Sequence, residues 1–258
     1  MKKRIITAII ALLIFVPILI YGKLPFIILT YLMASIGLYE LLRMRNISLG
    51  TFPAIITLVF LWFLLLPNTV ELHLTKIDIV IVYIIIMLFY TVLSKNRFTF
   101  DEVGFTLIAM LYLTIGFFFF METRLQSLAY VFYLLIVVWS TDTGAYFTGR
   151  ALGKRKLWPD ISPNKTVAGA IGGILFACVF GYIFQVIHPL PIPKHLMLTA
   201  TVFLSMAGQI GDLVASAYKR HYDVKDSGKL LPGHGGILDR MDSLLFVFPI
   251  FHIIYVLL

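Results

Sequence analysis

The sequence contains little cysteine and little charge. It has one cysteine, Cys178, and only 13% of its 258 residues are charged. A single cysteine excludes a disulfide framework and any metal cluster held by cysteines. With 60% hydrophobic residues and a mean hydropathy of +0.96, most of the surface must face something other than water. An ordinary soluble domain is therefore excluded.

Three further signals are missing from the sequence. No small-residue cleavage site follows the basic start Lys2-Lys3-Arg4, so the apolar run from Ile5 to Tyr21 is predicted to be a membrane span rather than a removed signal. The pattern Gly-x-x-x-x-Gly-Lys-Ser/Thr is absent, which excludes a P-loop. The net charge of +8 lies in short clusters between apolar runs, which indicates membrane lipids as partners and argues against nucleic acid.

Long apolar stretches are what the sequence does contain. Nine of them are separated by charged or Pro/Gly-containing loops, at about 5–22, 24–42, 51–67, 78–94, 104–121, 127–148, 167–187, 195–217 and 242–258. We therefore predict an all-α fold, a polytopic integral membrane helical bundle with about nine transmembrane helices. A single membrane domain, 1–258, would comprise N-terminal transmembrane helices in 1–125 and a catalytic half in 126–258.

Lysine and arginine are unevenly distributed between the predicted loops. With the N-terminus inside, all but four of the 21 basic residues fall on the inner side, the exceptions being Lys23, Lys76, Arg124 and Lys194. This asymmetry follows the positive-inside rule and predicts an N-in, C-out topology. In a bacterial-type inner membrane the two long inner loops, 149–166 and 219–241, then face the cytoplasm, and we expect the chemistry there.

The loop 219–241 combines cations, carboxylates and glycines. Its glycines allow the backbone to wrap phosphate oxygens. Asp239 and Asp242 are three residues apart at the start of the last span, so they share a helix face that could hold a divalent metal. For one lysine or aspartate alone, lipid contact or helix capping is the simpler interpretation. The density of both signs of charge beside Gly235-Gly236 favours a phosphate and metal site.

Two carboxylates fall within predicted spans, where an unpaired charge is costly. Asp212 lies in the eighth span, with Ser216 and Lys219 on the same helical stripe. Asp142 lies near the inner end of the sixth span. Both are functional candidates, although a structural ion pair for Asp212 and a polar interhelical contact for Asp142 remain alternatives. Lys165-Thr166, directly before the seventh span, is a candidate anion contact.

Four motifs near the C-terminus resemble the signature of the phosphatidate cytidylyltransferase, or CDP-diacylglycerol synthase, family. They are Ser216-x-x-Lys219-Arg220, Lys225-Asp226-Ser-Gly, Leu231-Pro-Gly-His234-Gly-Gly and Asp239-Arg240-x-Asp242. The segments Asp142-Thr-Gly-Ala-Tyr and Ser162-Pro-Asn-Lys165-Thr extend the resemblance over the C-terminal half. Ala168 stands where the family often has Glu.

The resemblance implies that CTP and phosphatidic acid react to give CDP-diacylglycerol and pyrophosphate with Mg²⁺, leaving open a second metal, a monovalent cation such as K⁺, and a homodimer. It implies metal binding by Asp212, Asp239 and Asp242. The other implied catalytic residues are Ser216, Lys219, Arg220, Lys225, Asp226, His234 and Arg240. Substrate contacts are implied for Asp142, Lys165, Thr166, Gly235 and Gly236.

Two other classes of protein share part of this pattern. A CTP-dependent polyprenol kinase or another CTP–lipid transferase would need a similar phosphate site. An ion-coupled membrane transporter would use Asp142 and Asp212 as intramembrane coupling sites. A transporter gives no reason for a Lys/Asp/Gly-Gly loop at the membrane surface, and a structural scaffold needs neither feature. The sequence therefore favours an enzyme.

Overall fold

The computed structural model describes residues 2–70 and 73–257, which form helices joined by short connections. The final position of the span predicted at 242–258 lies outside the described residues. The helices are α1 Lys2–Tyr21, α2 Lys23–Met44, α3 Phe52–Leu64, α4 Lys76–Leu93, α5 Phe100–Gln126, α6 Leu128–Leu152, α7 Val167–Ile187, α8 Lys194–His221, α9 Leu238–Met241 and α10 Leu244–Leu257, with strands β1 Lys156–Trp158 and β2 Ser162–Thr166 before α7.

Most of these helices have the length and composition of membrane spans. Within the described residues, six are long and apolar enough to cross a membrane, namely α2, α4, α5, α6, α7 and α8, and shorter apolar helices lie at Ile9–Tyr21, Phe52–Leu64 and Leu244–Leu257. Large apolar side chains such as Ile85, Leu175 and Phe203 are exposed along them, which suits contact with lipid. The protein is therefore a polytopic helical membrane protein, as predicted, whereas the count of nine and the orientation stay predictions.

The predicted loop 149–166 contains regular structure. α6 continues to Leu152, and β1 and β2 form an antiparallel hairpin in which Lys156 pairs with Thr166 and Trp158 with Ser162. This hairpin is the exception to the all-α prediction among residues 2–70 and 73–257. Pro163 is compatible with β2 because both strands of a two-stranded sheet are edge strands.

The boundaries of the last two spans also differ from the prediction. α8 extends beyond 217 to His221, so Lys219 is helical rather than part of a loop. Before the final span the chain forms the separate four-residue helix α9, and α10 begins only at Leu244. Asp239 and Asp242 therefore do not share one continuous helix, since the Ser243 N–H donates to Asp242 Oδ1 at 2.8 Å and such local bonds compete with helix geometry.

Glycines allow α6 and α7 to approach each other closely. Gly173 faces the carbonyl oxygen of Thr141 and Gly169 faces that of Ala145, so a Cβ at either glycine would collide with the α6 backbone. This approach brings the C-terminal end of α6 against the end of β2. Polar residues of both elements therefore line one cavity.

The two halves of the chain pack against each other. Gly116 of α5 lies against Leu245 of α10, and Gly37 of α2 lies against Leu238 of α9. Buried apolar side chains from both halves form one continuous core. The N-terminal helices consequently support the segment that carries the signature motifs.

The predicted topology places Lys95, after α4, and Lys194, at the start of α8, on opposite sides of the membrane. In a Cys178→Ala background we expect Lys194→Cys to react with a membrane-impermeant maleimide in intact spheroplasts. Lys95→Cys is expected to react only after permeabilisation, because the charge asymmetry places it inside. Mass-shift labelling measures both, and the reverse pattern would contradict the N-in orientation.

Candidate active site

A cavity of about 280 Å³ with several polar residues in its lining lies between α6, β2, α7 and α8. Asp142, Lys165 and Asp212 line it, together with Thr166 and Gln209. Lys165 Nζ is 2.7 Å from Asp212 Oδ2, and both side chains are about one-third exposed or less, at 26% and 35%. The structure thus joins three candidates from distant parts of the sequence, and an ion pair compensates the charge of Asp212 within its helix.

Three carboxylates gather at this cavity and just beyond it. Asp142 comes from α6, Asp212 from α8, and Asp242 from the break between α9 and α10, and each is close enough to the others for like-charge repulsion. Ser216 lies one turn after Asp212, and its hydroxyl donates to Asp212 Oδ1 at 3.5 Å. Repelling carboxylates attract cations, so this cluster favours a positively charged ligand.

The donor set fits a magnesium ion that is shared with a phosphate. Among residues 2–70 and 73–257, no group of three or more His, Cys, Asp or Glu side chains is already arranged as a metal cage. Mg²⁺ usually keeps several waters and binds through one or two carboxylates plus substrate phosphates. Asp212 and Asp242 meet that smaller requirement, and the ammonium of Lys165 at Asp212 shows that a cation is stable there.

A second cavity, of about 470 Å³, is enclosed by the loop between α8 and α9. The exposed cations Lys225, Lys229 and Arg240 line it with Asp226 and His234. The loop closes on itself, since Leu231 N–H donates to Gly235 O at 3.0 Å. Gly233 and Gly235 have φ of +79° and +80°, a conformation that other residues adopt only at a cost. The glycine-rich shape therefore presents cations around a concave space, as phosphate binding requires.

His234 is placed between the loop backbone and the cavity. Its carbonyl oxygen accepts a hydrogen bond from Arg240 Nε at 3.0 Å. Its Nδ1 is buried and has no hydrogen-bond partner within the described part of the chain. A buried polar atom without a partner is unfavourable, and the described residues supply none for this nitrogen.

Asp239 is held by four donors and lies under the loop. Oδ1 is 2.7 Å from Lys219 Nζ, while Oδ2 lies 2.7 Å from Ser227 N, 2.8 Å from Ser227 Oγ and 2.9 Å from Gly236 N. Burial opposes its ionisation, but the hydrogen bonds from Lys219 and from the Gly236 N–H outweigh burial and lower the pKa of Asp239 below its usual value. Both carboxylate oxygens are thus engaged in organising the loop, and metal binding by Asp239 remains a prediction.

The remaining predicted residues have varied surroundings. Thr166 is buried and caps α7, since its hydroxyl accepts a hydrogen bond from Gly169 N at 3.1 Å. Gly236 is buried under the loop rather than open to the cavity. Arg220 is exposed in the last turn of α8. Gly235 lines the second cavity and Thr166 the first, so the structure supports substrate contact more directly for these two residues than for Gly236 or Arg220.

Glu40 is a residue of this site that sequence reasoning missed. It belongs to α2, and its side chain is 1% exposed. Its carboxylate accepts hydrogen bonds from Ser227 Oγ at 2.8 Å, Ile237 N at 2.9 Å and Leu238 N at 3.0 Å. A signal was present, because an acid within the apolar stretch 24–42 is a functional candidate by the same criterion that selected Asp142 and Asp212.

Comparison with known proteins supports a membrane enzyme that transfers nucleotidyl groups. The chain matches the family model described as "Cytidylyltransferase family" over residues 2–258. A protein of Bacillus subtilis named "Phosphatidate cytidylyltransferase" is 52% identical over 100% of this chain and 98% of its own length. Proteins with the same name from Staphylococcus epidermidis and Staphylococcus aureus are 48% and 45% identical, each over 99% of both chains. This chain belongs to the cytidylyltransferase family.

We expect neutralisation of Asp239 and neutralisation of Asp242 to have different effects on the free energy of unfolding. We expect Asp239→Asn to lower the free energy of unfolding by roughly 3 kcal/mol, because Lys219 would stay buried without its partner. Asp242→Asn removes one of three neighbouring like charges and is expected to leave stability unchanged or raised. Thermal unfolding of the purified variants in detergent at neutral pH measures both effects.

The pH dependence follows from the same contacts. Because folding lowers the pKa of Asp239, its contribution to stability is complete above the usual aspartate value of about 4 and is lost as the pH falls through the folded-state pKa. Asp239→Asn therefore lacks this part of the acid destabilisation. Equal stability of Asp239→Asn and the wild type at neutral pH would contradict the ion pair's role.

Proposed function

We propose that this protein transfers the cytidylyl group of CTP to phosphatidate, forming CDP-diacylglycerol and pyrophosphate. The observation that carries the proposal is the joining of a carboxylate cluster to a cationic glycine loop. Lys219 connects them, since it pairs with Asp239 at 2.7 Å and lies close enough to Asp242 for electrostatic attraction. Family membership and the names of the relatives support the identity of the substrates.

The reaction joins two anions. An oxygen of the phosphatidate phosphate forms a bond to the α-phosphorus of CTP. The bond from that phosphorus to the oxygen bridging to the β-phosphorus breaks, and pyrophosphate leaves with the bond's electron pair. Because the substrate phosphate is itself the nucleophile, no protein side chain needs to form a covalent intermediate. The protein must instead neutralise charge and hold the attacking and leaving oxygens in line.

The loop between α8 and α9 and the smaller cavity each provide part of this charge neutralisation. Lys225, Lys229 and Arg240 line the larger cavity, where their charges suit the β- and γ-phosphates that leave together. His234 also lines this cavity. Lys165, in the smaller cavity, holds Asp212 in place and can neutralise an incoming phosphate.

Asp212 and Asp242 are the side chains that would hold Mg²⁺, with Asp142 as a third acid beside them. When bound, the ion would supply positive charge to phosphate oxygens. Asp239 does not need to contact it, because its oxygens already accept bonds from Lys219 and from the loop. Its task in this proposal is to fix the loop beside the acids.

The membrane supplies the lipid substrate. Trp139, Tyr146 and Phe147 are exposed on α6, and Tyr146 also lines the smaller cavity. A phosphatidate headgroup could therefore enter from the bilayer beside α6 and reach the acids without leaving the membrane surface. We propose that the site faces the cytoplasm of a bacterial-type inner membrane, because the larger cavity and Lys165 of the smaller one lie in loops that the positive-inside rule assigns to the inside.

Position-specific labelling of CTP tests the reaction. With phosphatidate, Mg²⁺ and purified protein in detergent, we expect label from α-³²P-CTP to enter lipid and label from γ-³²P-CTP to remain in water-soluble pyrophosphate. Thin-layer chromatography of the lipid extract measures both. Label from the γ-position in lipid would indicate a CTP-dependent kinase, and no lipid label from either position in folded protein would contradict the proposal.

A matched pair of variants tests the site. Asp212→Asn is expected to reduce α-label transfer by about 100-fold or more, because it removes a charge that faces the reacting phosphates. Glu122→Gln is the control. Glu122 accepts hydrogen bonds from Asn68 near the C-terminal end of α5 and lines neither cavity, so we expect this variant to retain wild-type activity. Full activity of Asp212→Asn would exclude this acid from the site.

A further inference from the structure

Glu40 is buried in the N-terminal half, and its partners lie 187–198 residues later in the chain. It sits about one turn before the end of α2. Burying a carboxylate is costly unless hydrogen bonds replace its hydration. In the described part of the chain, its hydrogen bonds come from two backbone N–H groups and one hydroxyl of the loop segment. Glu40 therefore contributes to the shape of that segment.

The contacts of Glu40 use both oxygens. Oε1 accepts the N–H of Ile237, and Oε2 accepts that of Leu238. The Ser227 hydroxyl lies 2.8 Å from Glu40 Oε2 and 2.8 Å from Asp239 Oδ2, so its single proton serves one acid at a time. The two carboxylates thus meet at Ser227. Arg43, from the same helix, donates to the Ser227 carbonyl oxygen at 3.0 Å.

Two loop glycines are shaped by this carboxylate. A Cβ at Gly228 or at Gly236 would collide with the carboxylate of Glu40. Both glycines are buried, so their small size is needed for contact with Glu40. Gly228 itself lines the larger cavity, and residues between Gly228 and Gly236 form much of the rest of its lining. The carboxylate of Glu40 therefore contacts both ends of the stretch 228–236.

The backbone contacts require a carboxylate and not an amide. Glutamine has one acceptor oxygen and one donor NH₂ group. In the variant Glu40→Gln, either orientation of the amide would turn its NH₂ group toward the N–H of Ile237 or of Leu238, and one buried N–H would lose its acceptor. An unsatisfied buried donor is unfavourable. Glu40→Gln therefore replaces one carboxylate oxygen with an NH₂ group and removes one hydrogen-bond acceptor from the loop backbone.

We propose that Glu40 is a positioning residue that holds the loop between α8 and α9 in the conformation that binds the phosphates of CTP. It acts through the loop backbone and does not touch the substrate. The inference rests on the proposed function, in which this loop holds the nucleotide. It assigns the N-terminal half a part in nucleotide binding that none of the signature motifs contains.

Steady-state kinetics of Glu40→Gln test the inference. We expect the KM for CTP to rise by about tenfold or more, because a displaced loop loses contacts made to bound nucleotide, while the KM for phosphatidate changes by less than about twofold. Glu102→Gln is the matched control. Glu102 is in the same half and accepts from Thr99 N at 2.6 Å in a capping box, a role that glutamine also fills, so its kinetics are expected to match the wild type.

A second variant guards against loss of folding. Ser227→Ala removes the hydroxyl shared by the two acids and keeps both backbone N–H contacts of Glu40, so we expect a smaller rise in the KM for CTP, about threefold. A folded Glu40→Gln with a wild-type KM for CTP would overturn the inference, as would an equal rise for both substrates. If Glu40→Gln does not fold, a wild-type KM in Ser227→Ala would overturn it. Failure of the proposed function is distinct, because the wild type would then transfer no α-label.

Discussion

Two buried carboxylates, Glu40 and Asp239, need hydrogen-bond donors, and the loop between α8 and α10 provides them. A carboxylate in a poorly hydrated interior is stable only when donors replace water. Backbone N–H groups of Ser227, Gly236, Ile237 and Leu238 point at these two acids. The loop backbone consequently converges on the acids from one side and leaves its cationic side chains on the other. The shape of the proposed phosphate-binding surface follows from the hydrogen bonds that these two acids accept.

The acids at and beside the smaller cavity differ from Glu40 and Asp239, because most of their charge is not compensated by the protein. Asp142, Asp212 and Asp242 repel one another, and Lys165 compensates only part of their charge. Such an arrangement is unfavourable in isolation and becomes favourable when a cation and anionic phosphates occupy it together. The protein therefore supplies donors to Glu40 and Asp239, whereas we propose that ligands compensate Asp142, Asp212 and Asp242. Lys219 interacts with both groups, since it pairs with Asp239 and also attracts Asp242.

Much of the fold could be predicted from the sequence, because bilayer-spanning helices require long apolar runs and the runs are visible. The hairpin β1–β2 was not predicted, since strands of three and five residues in a polar segment give no clear periodicity. The break at Asp242 arises from a bond to the next residue's N–H, which apolar patterning does not encode. Glu40 was missed because its role depends on contacts between opposite ends of the chain, although its charge within an apolar run was a usable signal.

Hydrogen exchange of the loop backbone tests the central claim, that a carboxylate from the N-terminal half holds the proposed nucleotide-binding loop in its conformation. We predict that peptides covering 224–240 exchange slowly in the ligand-free wild type and markedly faster in Glu40→Gln, because Ile237 or Leu238 loses its acceptor. Peptides from α6 would be unchanged. Equal protection of 224–240 in both proteins would contradict the claim, since the loop would then keep its conformation without the Glu40 carboxylate.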